Sequence, residues 1–389
     1  MSPRIVSIGT AVPTTRVAQT EARDLFATQP GVDRLTARLI RAAFDAAEIE
    51  HRHTVLAQLA LSGVPGPDDG TAFIDAERGL LRPTTGTRND LYIRTAPALY
   101  AEAARTAMAD AEIEASAITH VVTVSCTGFF APGPDYRLVR DLGLDPSVER
   151  YHLGFIGCAA AMPGLRLASR IADSDPAAVV LVVCVELCTL HIRPSADPQQ
   201  IVAASVFADG AAAAVVTADP DAGREGGLEL DRFSTALTAE GEADMVWTIG
   251  DHGFEMILSA EVPRIVGREI RGAVDRFLAG EATPDVWAVH PGGRSVLDRV
   301  EAGLELPPTA LDASRGVLRD YGNMSSATIL FILERMLRDD AVADGARLAA
   351  LAFGPGLTIE SALLTKRGAT GAAVADAPAG AAVGAVAGA

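Results

Sequence analysis

The sequence predicts an α/β fold built twice on one plan, and three observations carry that expectation. Long apolar runs such as Val179–Leu187 alternate with amphipathic helical stretches, the pattern of parallel-type sheets covered by helices on both faces. The order of elements in the first half then recurs in the second. In that recurrence Cys126 and His290 fall at matching strand ends, and Cys158 and Asn323 at matching helix starts.

Along the chain, Ile5 to Val12 reads as a strand entering a loop, Leu35 to Ala47 as a helix, and 61–70 (LSGVPGPDDG) as a loop of turn formers. A helix over Ala96–Ala111 precedes a strand at Ile118–Ser125, the loop CTGFFAPG (126–133) and a short helix at Asp135–Leu142. A short buried strand leads to Cys158, and small residues after it give way to a helix whose Leu165, Leu167 and Ile171 face a core. Strands at 179–187 and within 210–218 complete the first half. The second half runs through a helix over Pro263–Ala279, a strand within 285–293 and a helix through Leu297–Leu304. A helix over 323–337 and strands within 346–356 and 357–364 follow. The chain thus divides into 1–219 with the cysteine, 220–367 with the histidine and asparagine, and an Ala/Gly tail, 368–389, read as flexible.

With 49% hydrophobic and 21% charged residues in 389, the chain can bury ample core and is not a disordered type. A formal net charge of −17 argues against nucleic acid as a general partner, so a phosphate-bearing ligand must be held by local groups. The opening MSPRIVSIGTAVP lacks the features of a signal peptide, and no apolar stretch reaches membrane-spanning length, so a cytoplasmic protein is expected. Cys126, Cys158, Cys184 and Cys188 form no C-x-x-C pair and meet no His-x-x-x-His partner, which argues against a zinc site. Disulfides are not expected in a reducing compartment.

Cys158 stands where a strand turns into a helix. Free N–H groups and the helix dipole there favour a thiolate, Gly154 and Gly157 permit a tight turn, and Ala159 to Ala161 leave room above the sulfur. A buried core cysteine is the equally simple alternative. His290 ends an apolar strand before Pro291-Gly292-Gly293, where its ring could take a thiol proton and later offer an N–H to developing negative charge. His51, His53, His120, His152 and His252 read as surface or loop residues. Asn323 reads first as a helix N-cap, and its match to Cys158 adds the second possibility of an amide donor to an oxyanion or enolate. Function in such sheets gathers where strands end and helices begin, so the three residues are expected to converge across a pseudo-twofold axis.

The stretches GFIGCAA, WAVHPGGRSVLDRVE, YGNMSSATILFIL and FGPGLTIE resemble, in matching order, the signature stretches of type III polyketide synthases, the chalcone synthase-like branch of the thiolase superfamily. The resemblance implies a thiolase-like duplicated αβαβα layered fold with pseudo-twofold symmetry, a homodimer, and no metal or redox cofactor. It implies CoA thioesters, acyl-CoA and malonyl-CoA, as substrates. By it Cys158 is the acyl-carrying nucleophile, and His290 and Asn323 drive malonyl-CoA decarboxylation and bind the thioester oxygen. Phe207 and Phe254 match the two gatekeeper phenylalanines, and Cys126, Thr127, Cys188, His191 and Ser325 match cavity positions. Arg41, Gly292 and Gly293 match CoA-contacting positions, although RLIRAAFDAAEIEHRH (38–53) lacks most lysines of the family's basic helix. Ala131 replaces a methionine that reaches into the partner's cavity in plant members.

The 126–133 loop, FIGCAAAM and VCVELC look closest to bacterial alkylpyrone and alkylresorcinol synthases. Small residues at Cys126, Ala131, Ala203 and Ser205 would open room for an alkyl chain, and each buried methylene adds about 0.8 kcal/mol. The expected starter is therefore a medium- or long-chain acyl-CoA, extended to an alkylpyrone or alkylresorcinol. The alternative within the family is malonyl-CoA as its own starter, giving tetrahydroxynaphthalene. A ketoacyl-ACP synthase of the initiating type also uses Cys, His and Asn, but shows HQAN where this chain has HPGG. A papain-like thiol hydrolase shares the chain order Cys, His, Asn and lacks the local context found here. A catalytically silent interaction protein is disfavoured because all three site residues are present.

Overall fold

The nine residues of Val179–Leu187 are all buried, and all but Glu186 sort alternately into two different cores. A strand with that two-residue period requires a layer on each of its faces. The computed structural model describes residues 2–60, 73–75 and 77–368, and in it helices cover both faces of this strand. The expected 61–70 loop and all of the Ala/Gly tail after Gly368 lie outside the described residues.

The first half runs β1 (Arg4–Ala11), β2 (Thr15–Ala18), α1 (Gln19–Ala27), α2 (Arg34–Ala46), β3 (His51–Thr54), α3 (Thr85–Ala111) and β4 (His120–Ser125). It continues through α4 (Pro134–Leu142), β5 (Glu149–Gly154), α5 (Ala161–Ser174), β6 (Val179–Leu187), α6 (Pro198–Val206) and β7 (Asp209–Thr217). The second half contains β8 (Gly227–Leu237), β9 (Met245–Gly250), β10 (Gly253–Leu258), α7 (Val262–Leu278), β11 (Val286–Val289) and α8 (Arg294–Leu304). It ends with α9 (Asp312–Tyr321), α10 (Thr328–Arg338), β12 (Arg347–Gly354) and β13 (Thr358–Arg367).

The main strands lie in the order β11-β12-β13-β8-β1-β7-β6-β4-β5. The sheets are mixed, which corrects the expectation of parallel-type sheets. β4 is parallel to β5 and β6, and β11 to β12, while the other pairings are antiparallel. The reason lies in the connections. The chain leaves β6 at Leu187 and re-enters at Asp209, its direct partner, so β7 must run back. The turn between Gly354 and Thr358 reverses β12 into β13 in the same way.

The duplication is visible in this order. β4-β6-β7-β1 and β11-β12-β13-β8 share one sequence of pairings, parallel, antiparallel, antiparallel. The two sets meet where Arg4 pairs with Glu229 and Ile5 with Leu228. Three hydrophobic clusters of the described residues fill the spaces between layers. One joins α3 to outward residues of the first-half strands. A second holds α5 and α10 between Val180 and Val182 on one side and Leu348 and Ala350 on the other. The third packs α7 and α8 on Leu351 and Phe353. The result is the layered αβαβα fold, with α5 and α10 as its central layer.

The strand before Cys158 also departs from expectation. β5 was expected to be buried, yet its first four residues are exposed. It pairs with β4 on one side only and ends the sheet.

Candidate active site

The turn into Cys158 depends on backbone that only small residues permit. Gly157 has φ of 81°, and a Cβ on it would lie 2.3 Å from the ring of Pro355. Glycine at that point lets the chain pass beneath the β12–β13 turn and deliver Cys158 three residues ahead of α5. The thiol is buried, and burial pushes it up to about 11 although hydrogen bonds with Ser325 and Asn323 favour the thiolate. The low resting thiol expected from the helix start is therefore corrected: burial of the sulfur outweighs the local dipole.

His290 follows β11, held by a main-chain bond from its N–H to the carbonyl of Leu351 at 2.8 Å. Its ring is fully buried, and neither nitrogen has a hydrogen-bond partner. Burial alone draws the imidazole down to about 3, so it is neutral, with one donor and one acceptor unspent. A buried polar ring without partners is costly unless something else is meant to meet it.

Asn323 precedes a 3₁₀ turn, Ser325–Ala327, that leads into α10. Its Oδ1 accepts the Ser325 N–H at 2.8 Å, which turns the amide nitrogen toward the Gly292 carbonyl at 3.3 Å. The cap role read from the sequence is corrected, since α10 begins at Thr328 with Ala327 at its cap; Asn323 instead closes a local turn through Oδ1, which leaves its amide nitrogen as the donor.

Cys158, His290 and Asn323 line one cavity of about 750 Å3. Gly292 and Gly293 line it, whereas Arg41 is not among its lining residues. The basic groups on its walls are Arg264 of α7 and Arg294 and Arg299 of α8, which the sequence reading missed. Arg294 and Arg299 fall within the WAVHPGGRSVLDRVE stretch, so their position beside His290 was the available signal.

A second chamber of about 60 Å3 adjoins the first and shares Cys158, Phe207, Met245 and Met256 with it. Cys126, Thr127, Cys188, His191, Phe254 and Ser325 line this inner chamber together with Ala203, whereas Ser205 lines the outer cavity and Ala131, expected to open room for an alkyl chain, is exposed and lines neither. Phe207 stands at the junction, and Phe254 belongs to the inner wall alone. Trp247 of β9 completes that wall and was not foreseen. Beneath it, the fully buried Glu186 accepts from Cys126 N at 2.9 Å, Thr127 Oγ1 at 2.9 Å and Ser326 Oγ at 2.6 Å. Burial pushes its carboxyl up to about 7.

A thiol, a neutral imidazole and an amide donor in one buried cavity suit acyl transfer and the stabilisation of an oxyanion. Among the described residues no group of three or more His, Cys, Asp or Glu side chains could hold a metal ion. No described helix is long and apolar enough to cross a membrane.

Comparison with known proteins decides the family. Residues 2–220 match the N-terminal domain of chalcone and stilbene synthases, and residues 230–367 match the C-terminal domain. The chain belongs to the chalcone and stilbene synthase family. It is 34% identical over 377 residues to bisdemethoxycurcumin synthase of Oryza sativa subsp. japonica, covering 92% of this chain and 91% of that one. Among solved structures, PKS-I from the brown alga Ectocarpus siliculosus superposes with a TM-score of 0.86 at 29% identity, covering 94% of this chain and 98% of that one. The C-terminal type III polyketide synthase domain of Steely1 from Dictyostelium gives 0.85 at 28%, covering 94% and 99%. The layered fold described above is the fold of these type III polyketide synthases, and chalcone and stilbene synthase family membership makes this protein a polyketide synthase of type III.

Proposed function

We propose that the protein condenses malonyl-CoA units onto an acyl group carried by Cys158. The thiol gives its proton to His290 and attacks the acyl-CoA carbonyl; the tetrahedral oxyanion collapses, and the departing CoA thiolate takes up that proton. Malonyl-CoA then enters with its thioester oxygen against the N–H donors of His290 and Asn323. Its carboxylate leaves as carbon dioxide, and the electron pair of the broken C–C bond becomes an enolate held by the same donors. The enolate carbon attacks the Cys158 thioester, forming the new C–C bond and releasing the sulfur. The observation that carries this reading is the pair of unpartnered, fully buried nitrogens of His290 in a cavity shared with Cys158 and Asn323.

The starter we propose is a medium- or long-chain acyl-CoA, giving an alkylpyrone or alkylresorcinol. Met245 and Met256 border both chambers, and methionine repacks readily around a flexible chain. A second reading, malonyl-CoA as its own starter to give tetrahydroxynaphthalene, is favoured by the inner chamber's volume of about 60 Å3. Incubation with malonyl-CoA and a panel of acyl-CoAs, followed by product mass spectrometry, tests both levels. Carbon dioxide and free CoA appearing together with ketides support condensation; peptide cleavage without them would replace it by hydrolysis. Turnover of malonyl-CoA alone, unchanged by any acyl-CoA, would replace the alkyl starter.

A further inference from the structure

His191 ends a 3₁₀ turn, Cys188–His191, that follows β6. Arg88, itself fully buried, pins this turn by donating from Nη1 to the carbonyls of Leu190 and Ile192 on either side of the histidine. Held in this way, the imidazole makes two hydrogen bonds of opposite sense. Nδ1 accepts the main-chain N–H of Phe254 at 3.0 Å, so that nitrogen carries no proton. Nε2 therefore carries it, and donates to the Thr127 carbonyl at 2.8 Å. The ring also stacks on Phe254, 4.2 Å between centroids and 13° from parallel, and meets Trp247 edge-on at 5.5 Å. Trp247 donates Nε1–H to the Cys126 carbonyl at 2.8 Å. Two side chains thus fasten the β9–β10 hairpin to the loop after β4.

Both nitrogens of His191 are spent on main chain, which leaves none for a substrate. Burial, with Arg88 and Arg193 nearby, holds the ring neutral down to about pH 3, so Nδ1 stays an acceptor under working conditions. We propose that His191 is a positioning residue that holds Phe254 in one orientation on the inner wall and thereby sets the length of ketide that fits beside Cys158. This rests on the condensing reaction proposed above.

The test separates the two hydrogen bonds. His191→Asn keeps an acceptor near the Nδ1 position and can still receive the Phe254 N–H; His191→Gln keeps a donor near the Nε2 position and cannot. Ketide lengths are measured with hexanoyl-CoA and malonyl-CoA. In parallel, alkylation of Cys158 by iodoacetamide and by the bulkier N-benzyliodoacetamide is followed by peptide mass mapping, which needs no turnover. In His191→Gln the bulky-to-small alkylation ratio should rise about fivefold, the worth of one lost hydrogen bond, with a changed ketide-length distribution. His191→Asn should stay nearer the parent on both readouts. Parental ratios and ketide lengths in both variants would overturn the proposal, as would a parent whose ring, by ¹⁵N chemical shift, carries its proton on Nδ1. A parent that makes no ketide removes the condensing reaction, and the alkylation ratios then decide the positioning role alone.

Discussion

Phe207 and Asn323 face each other across a parallel backbone bridge. Asn323 N donates to the Val206 carbonyl at 2.9 Å, and Ala208 N donates to the Asn323 carbonyl at 2.9 Å. The junction phenylalanine of the first half is therefore held by the amide-bearing residue of the second. Arg52 secures the same point, donating from Nη1 to the carbonyls of Phe207, at 2.9 Å, and Ala204, at 2.6 Å.

Arg52→Met should destabilise the fold strongly. Arg52 is buried near Asp209, whose carboxyl bonds to Thr189 and to the main-chain N–H of Val55. Its loss leaves the Ala204 and Phe207 carbonyls without their charged donor and removes a cation whose charge favours that buried carboxylate, a loss on the order of 1.5–3 kcal/mol. Thermal unfolding at pH 7 should show a clearly lower midpoint, and a midpoint at the parental value would contradict this account.

Variants of the three site residues should separate two steps. His290→Ala and Asn323→Ala each remove one enolate donor and should slow carbon dioxide release from malonyl-CoA about 100- to 1000-fold. Cys158→Ala keeps both donors, so it should still release carbon dioxide while forming no ketide and no labelled acyl-enzyme. Radiolabel from an acyl-CoA retained on Cys158→Ala, or parental carbon dioxide release in either donor variant, would remove the corresponding role.

These three residues were legible because each sits in a short motif and because the duplication pairs Cys158 with Asn323 and Cys126 with His290. Strand positions were legible too, since an apolar run such as Val179–Leu187 has few other uses. Glu186 escaped notice because it lies inside that run, and only the fold shows that its carboxyl turns to the loop after β4. The His191–Phe254–Trp247 contacts join segments far apart in sequence, which no local pattern encodes. The thiol of Cys158 was misjudged for a related reason: a helix start is a local feature, whereas burial is decided by everything packed around it.

Glu186 gives the fold a pH dependence whose sign follows from its environment. Its carboxyl, ordinarily near 4.5, is raised to about 7 by burial, so the folded chain holds that proton more tightly than the unfolded chain. The stability this contributes is complete below about pH 4.5 and is lost as pH rises toward 7, on the order of 3 kcal/mol for this group. Glu186→Gln has no such proton to lose. Melting midpoints of parent and variant, compared at pH 5 and pH 8, should converge or cross in favour of the variant at the higher pH. A difference independent of pH would show that Glu186 does not titrate in this range.

The exposed edge at β5 leads to the last expectation, that the protein is a homodimer joined there. β5 closes one end of the nine-strand order with its outer main-chain groups unpaired, and an open edge of this kind is a template for another strand. Three exposed apolar side chains cluster around it in sequence and space: Tyr151 on the strand, Ile156 just beyond it, and Tyr136 of α4, whose ring lies beneath the Arg150 guanidinium. Such residues on an edge strand favour association over solvation unless a partner covers them. Two copies related by a twofold axis could pair β5 with β5 antiparallel and extend the sheet from one subunit into the other. Because β5 leads directly into the turn at Cys158, pairing would also brace the nucleophile. Sedimentation at micromolar concentration should give about twice the chain mass of 40.4 kDa. Tyr151→Lys with Ile156→Lys places two charges on that edge and should shift the protein toward the monomer while slowing condensation. A parent that sediments as a monomer would refute the dimer, and a charged variant that remains fully dimeric would move the interface away from β5.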